Sequence, residues 1–224
     1  MARTDEAKSG NRLLVLATVV LAVAGLVKLS HADAAAGPPR PQATVLGKRL
    51  PPTTPAPLNL TMGRSAPTHI DIPAVNVHAD MIGVGLNPDN TIGTPTLANA
   101  KVAAWYNRSP TPGQVGSSII DAHVDSLLMA DYRGAFFYLG LTKPGMEVDV
   151  TRADHSVAVF TVDEVQSALK AQFPADKVYA ATTYPGLSLI TCGGAFDAKT
   201  HEYLGNTIVY AHLTAERKPP RNAR

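Results

Sequence analysis

A mainly β domain, a barrel or a sandwich, is the fold class this sequence predicts, on three observations. The apolar residues of its body fall in short runs rich in Val, Ile and Thr. Clusters of Pro, Gly, Asn, Asp and Ser separate the runs, and little of the body repeats its apolar positions at helical spacing. Short β-branched runs punctuated in this way read as strands joined by turns. The body, from about Arg64 to Leu213, is long enough for one well-buried core.

In chain order the first runs are Ile70 to Ile72 and Val75 to Val77, on either side of Pro73. Asn87-Pro88-Asp89-Asn90 and Ser109-Pro110-Thr111-Pro112-Gly113 are turn sequences. Val115 to Val124, Met146 to Val150, Val157 to Val162, Leu187 to Thr191 and Thr207 to His212 follow as strands. Ser126 to Leu139 is too long and mixed for a strand and reads as a short helix, and Glu164 to Lys170 as a single turn. Cys192 closes the run from Leu187, where Gly193-Gly194 would let the backbone turn sharply.

Outside the body the composition changes. Arg3, Lys8 and Arg12 precede an apolar stretch from Leu13 to Val27, bounded by Lys28. Its 15 residues suit a signal-peptide core, and Ala32-Asp33-Ala34 and Ala34-Ala35-Ala36 fit a cleavage site. Leu29 extends the apolar reach past Lys28, so an uncleaved anchor at the cell membrane, with the body outside the cytoplasm, is the other reading. Residues 1–36 are therefore a signal or anchor segment, and residues 37–66, with seven prolines, a semi-rigid linker. The folded domain is residues 67–213, and 214–224 a basic, disordered tail.

Charge follows the same divisions. Residues 1–63 hold seven Lys/Arg against three Asp/Glu, residues 64–213 nine against fourteen, and residues 214–224 four against one. A body of net charge −5 argues against a nucleic-acid partner, which calls for a clustered basic face.

Cys192 is the one cysteine, so it is a buried apolar residue, a link to another chain, or a reactive thiol. A nucleophilic thiol needs a base or cation beside it, because its pKa is about 8.5 and only the thiolate attacks well. Of the seven histidines, His31 lies in the targeting region, His69 and His78 near the domain start, His155 in a turn, and His201 and His212 beyond the cysteine. His123 differs: it ends the most apolar strand, flanked by Asp121 and Asp125. It is a structural histidine at a strand end or a catalytic one, and the 69 residues between it and Cys192 leave proximity open. The Asp/His group has no second histidine at ligand spacing, so no metal and no cofactor is expected.

Leu189-Ile190-Thr191-Cys192-Gly193-Gly194-Ala195-Phe196-Asp197, with Tyr203 to Ala211, resembles the end of an actinobacterial-type sortase, most similar to class F. Thr68 to Val75, Val84 to Thr91, Ala104-Trp105-Tyr106, His123-Val124-Asp125-Ser126, Phe136 to Val148 and Phe173 to Tyr179 agree with that family in the same order. The resemblance implies a closed β-barrel of about eight strands with one or two short helices, and Cys192 and His123 on one rim. It implies a cysteine transpeptidase that cleaves an LPxTG-like C-terminal sorting signal between Thr and Gly through an acyl thioester on Cys192. The acyl group would pass to a peptidoglycan-precursor amine, with His123 as proton donor and acceptor and Thr191 and Gly193 as substrate or oxyanion groups. Surface proteins bearing sorting signals would be its partners. The family's arginine, on the last strand, has no counterpart near Leu204 to Asn206; Arg133 and Lys199 are the substitutes in view. Ala122 stands where similar sequences have glycine. These departures keep two alternatives in view, a silent module that binds sorting signals and an exported cysteine hydrolase.

Overall fold

The computed structural model describes residues 38–39 and 60–218. The apolar segment, most of the linker and the last six residues of the tail lie outside the described residues. Eight strands form the domain: β1 Pro67–Ile72, β2 Val77–Val84, β3 Ala103–Tyr106, β4 Gly116–Ala122, β5 Glu147–Arg152, β6 Val157–Leu169, β7 Pro185–Asp197 and β8 Glu202–Arg217. They close a barrel in the order β1-β2-β3-β4-β7-β8-β6-β5. Closure leaves no unpaired sheet edge. Neighbours are antiparallel except for β2 with β3 and β4 with β7, whose parallel pairing requires long crossovers. One four-residue helix, α1 Ala175–Val178, and four single 3-10 turns complete the described elements.

Alternation sorts the residues. On β2, Val77, Ala79 and Met81 turn inward, and Ile70, Ile72, Ile120, Val148, Phe160, Leu187, Leu189 and Val209 meet them in the barrel core. β7 does not alternate, because its outward residues are covered as well. Ile190 packs there with Ile119 of β4, Ile208 of β8 and Val178 of α1 in a second cluster. A strand buried on both faces reads as a largely apolar run, as Leu187 to Ile190 does; its one polar residue, Ser188, is buried with its hydroxyl 3.1 Å from that of Ser117.

Several sequence expectations change. Ser126–Leu139 holds turns rather than a helix: Leu127 and Leu128 are exposed, and Tyr132 takes a left-handed φ of 58°. Glu164–Leu169 continues β6, because β8 pairs with it through Leu169, and the single turn forms one step later at Lys170–Gln172. β7 does not stop at Cys192; the glycines make an irregularity in its pairing with β8, and the strand runs on to Asp197. The tail is strand as far as Arg217, whose guanidinium binds Glu147 and, at 2.8 Å, Asp149 on β5. Before β1, Met62 buries its side chain in the core against Gly113.

Gly134 has a particular duty. A Cβ there would sit 2.1 Å from the His123 carbonyl oxygen, so the Asp125–Arg133 turn can fold back on β4 only without a side chain. Gly134→Ala should cost about 1–3 kcal/mol or more, as overpacking does, read from denaturant unfolding. Gly85→Ala, where a Cβ meets nothing within 4 Å, should stay within about 0.5 kcal/mol of the parent; equal losses at both positions would contradict this account.

Candidate active site

Three adjacent strands, β4, β7 and β8, carry the candidate residues. Asp121 pairs with Ile190 in the parallel β4–β7 register, and the same register continued by two residues brings His123 level with Cys192. Across the other edge of β7, Cys192 pairs with Asn206 of β8. Side chains of directly paired residues share a face. Ile119, Ile190 and Ile208 mark that face as the outside of the barrel, so His123, Cys192 and Asn206 form a row on the outer surface.

Thr191 fixes the row. Its hydroxyl, 4 % exposed, donates to the Ala122 carbonyl at 2.7 Å and so ties β7 to the end of β4 one residue before His123 and Cys192. That hydroxyl is committed to the backbone, and Thr191 acts on the site through position. Ala122 turns into the core, 5 % exposed, so its methyl group is absorbed inside the barrel and away from the thiol. Gly193 continues β7 against Gly205, with Thr207 Oγ1 2.8 Å from where its Cβ would lie.

The charges around Cys192 favour the neutral thiol. Burial pushes the thiol above its ordinary pKa; the Lys170 ammonium opposes this, and the carboxylates of Asp125, Glu202 and Asp121 add to it. His123 Nε2 lies 2.6 Å from the Pro95 carbonyl oxygen. A carbonyl only accepts, so Nε2 carries a proton, and in the neutral ring Nδ1 is the free acceptor. Tyr203 donates its hydroxyl proton to Asp125, and burial together with that carboxylate pushes the phenol far up. Asp121 is also displaced: desolvation raises its carboxyl to about 7.

A small cleft opens at Cys192, walled by Val124, Phe136, Phe137, Gly194 and, from the linker, Pro38 and Pro39. Arg133 stacks its guanidinium over Phe137 and Tyr138, 5.3 Å from each ring centre. Lys199 lies on an exposed turn, its amide bound to Asp197. Neither cation acts on the thiol, whereas Lys170 does. Ser126 caps its turn by accepting the Leu128 amide at 3.1 Å, and Trp105 is core, 4 % exposed. Sequence reasoning missed the Pro95 carbonyl, Lys170 and the Tyr203–Asp125 bond; none carries a local signal, since each depends on how distant loops meet.

Thr191→Val keeps the shape and removes the donor. It should cost about 1–3 kcal/mol, the penalty for a buried carbonyl left unpaired, and loosen the row, so alkylation of Cys192 should change while the far-ultraviolet circular dichroism does not. Unchanged stability would remove the tether from the argument.

Comparisons with known proteins bear on the fold and the family of the chain. A family model described as the sortase domain matches residues 70–214. Among solved structures, sortase A from Listeria monocytogenes superposes with a TM-score of 0.52 at 16% identity, over 70% of this chain and 92% of that one. The sortase SrtA from Actinomyces oris gives 0.51 at 19% identity, over 75% of this chain and 93% of that one. A pilus-related sortase C of Group B Streptococcus gives 0.51 at 14% identity, over 70% of each chain. At these identities the likeness speaks for the fold. No curated protein matches the sequence. With the family model spanning most of the barrel, from the middle of β1 to Thr214 in β8, and with the barrel closed in that fold, the chain belongs to the sortase family.

Proposed function

We propose that the protein is a cysteine transpeptidase in which Cys192 attacks the Thr–Gly carbonyl of an LPxTG-like sorting signal and His123 moves the protons. The observation that carries this reading is the register of β4 and β7, which sets His123 level with Cys192 on one face. At rest the thiol is neutral and Nδ1 of His123 is free. On attack the thiol proton passes to Nδ1, the sulfur bonds to the carbonyl carbon, and the imidazolium protonates the departing glycine amine. The thioester is then opened by a cell-wall precursor amine, whose proton returns to His123 and on to the leaving thiolate. Both half-reactions balance without an added cofactor.

Asn206 stands opposite Cys192 on the last strand, where the resemblance calls for arginine. Its Nδ2 reaches the Thr191 carbonyl at 3.3 Å, so the amide is oriented along the edge of the thiol. We read it as the donor to the developing oxyanion, with backbone N–H groups near Gly193. A neutral amide stabilises negative charge less than a guanidinium does, and a thiol held in its neutral form accords with that weaker field. The segment Ala168 to Tyr179, which packs Val178 and Phe173 against the outer cluster beside the row, is read as the segment that selects the peptide. The N-terminal segment is read as a membrane anchor that holds the domain outside the cytoplasm, and the motifs as those of class F.

Intact-mass measurement of the protein with LPxTG-like peptides tests the reaction. An acyl adduct on Cys192, discharged by an added amine and absent from Cys192→Ala and His123→Ala, is expected; a folded protein that gains no adduct from any peptide would sink the proposal and favour a module that binds without cleaving. Asn206→Ala should slow acylation about 10²–10³-fold, the loss for one oxyanion donor, with the adduct still detectable; an unchanged rate would assign the oxyanion to the backbone alone.

The thiol gives a further check. Alkylation of Cys192 by iodoacetamide should rise with pH with a midpoint above the ordinary thiol range, since burial and carboxylates hold the proton on. Lys170→Ala, which removes the one opposing charge, should move the midpoint higher still. A midpoint below neutral pH would instead mean a resting thiolate–imidazolium pair.

A further inference from the structure

One side chain beside the row has no part in the chemistry above. Asp121 lies on the outer face of β4 between Ile119 and His123, paired with Ala104 of β3 and Ile190 of β7. Its Oδ1 is buried without a hydrogen-bond partner. A buried carboxylate kept only for the fold is expected to be bonded, as Asp163 of β6 is to His212 at 2.7 Å. Asp121 departs from that rule two residues along the strand from the level of Cys192, where an unsatisfied acceptor costs stability unless a ligand completes it.

Its surroundings narrow the ligand. The nearby wall is apolar, built from Ile119, Ile190, Ile208 and Val178. Tyr106 packs against that same cluster, and Tyr179 caps the end of α1, whose Val178 belongs to it. The segment's own cations are engaged elsewhere, Lys170 with Glu202 at 3.1 Å and Lys177 with Glu164 at 2.7 Å. A carboxyl raised to about 7 in apolar surroundings is one that an incoming positive charge would ionise. Carboxylate and aromatic faces together suit a cation. Asp121 also acts on the Cys192 thiol, and its position is two residues along the strand, about 7 Å, from the level of the sulfur.

We propose that Asp121 selects the peptide substrate by binding a lysine or arginine side chain two or three residues upstream of the cleaved bond. The inference rests on Cys192 being the group that the peptide acylates. An extended peptide sends every second side chain to the same side, so with the carbonyl at Cys192 a residue about two positions upstream comes level with Asp121.

Peptide pairs that differ only by lysine or norleucine at each of those positions decide the matter. Acylation of Cys192 is followed by intact mass, and binding to Cys192→Ala by fluorescence anisotropy. At one of the positions the lysine peptide should react and bind about tenfold better, and Asp121→Asn, of the same shape, should reduce that ratio to about one. Asp121→Leu should invert it, with thermal melting used to establish that each variant is folded. Equal behaviour of the two peptides, a lysine preference that survives in Asp121→Asn, or an effect confined to discharge of the thioester by the amine would overturn the proposal. Should no peptide acylate Cys192, the transpeptidase reading fails separately, and the binding ratio alone then decides for or against Asp121.

Discussion

The parallel pairing of β4 with β7, locked by the buried Thr191–Ala122 hydrogen bond at 2.7 Å, is the constraint on which the rest of the site depends. Neither His123 nor Cys192 is held by a contact with the other. Each is held by its strand, and the two strands are held in register by ladder bonds and one hydroxyl. A site built on paired strands inherits the stiffness of the sheet. β7 is covered on both faces, by the barrel core within and by Val178 and its neighbours without, so the strand that carries the thiol is among the least able to move.

Against that rigid row the electrostatics are permissive. Burial raises the thiol, the Lys170 ammonium opposes it, three carboxylates add to the rise, and the histidine is steered by a backbone carbonyl through Nε2. The arrangement favours the neutral form of the Cys192 thiol and leaves Nδ1 of His123 free to accept a proton. With Asn206 rather than an arginine at the Cys192 end of β8, there is less positive charge to hold a resting thiolate, and the acidic surroundings of Cys192 are consistent with that.

Much of the barrel was legible because its strands are β-branched runs between turn residues. β7 was legible for a further reason: burial on both faces left Ser188 as the one polar residue in Leu187 to Ile190. The helix expected over Ser126–Leu139 failed because Leu127 and Leu128, which look like the start of an apolar face, are 85% and 65% exposed and pack on nothing that would hold a helix. Glu164–Leu169 was misread because its mixed polarity reflects a strand with solvent on one side, and its partner β8 is far away in sequence. At the site, the motifs around Cys192 and His123 were readable, but the place of Asn206 was not. It follows from the β7–β8 register, and register is a property of two strands together.

The tether between Thr191 and Ala122 spans 69 residues of chain, and this has a kinetic meaning. Contacts so distant in sequence form only after a large loop has closed, which places them among the slower events of folding. Until then Cys192 is a solvated thiol of ordinary reactivity with no histidine beside it. The row of His123 and Cys192 is thus assembled by the same closure that completes the barrel, and a nascent or partly unfolded chain carries the sequence of the row without its geometry.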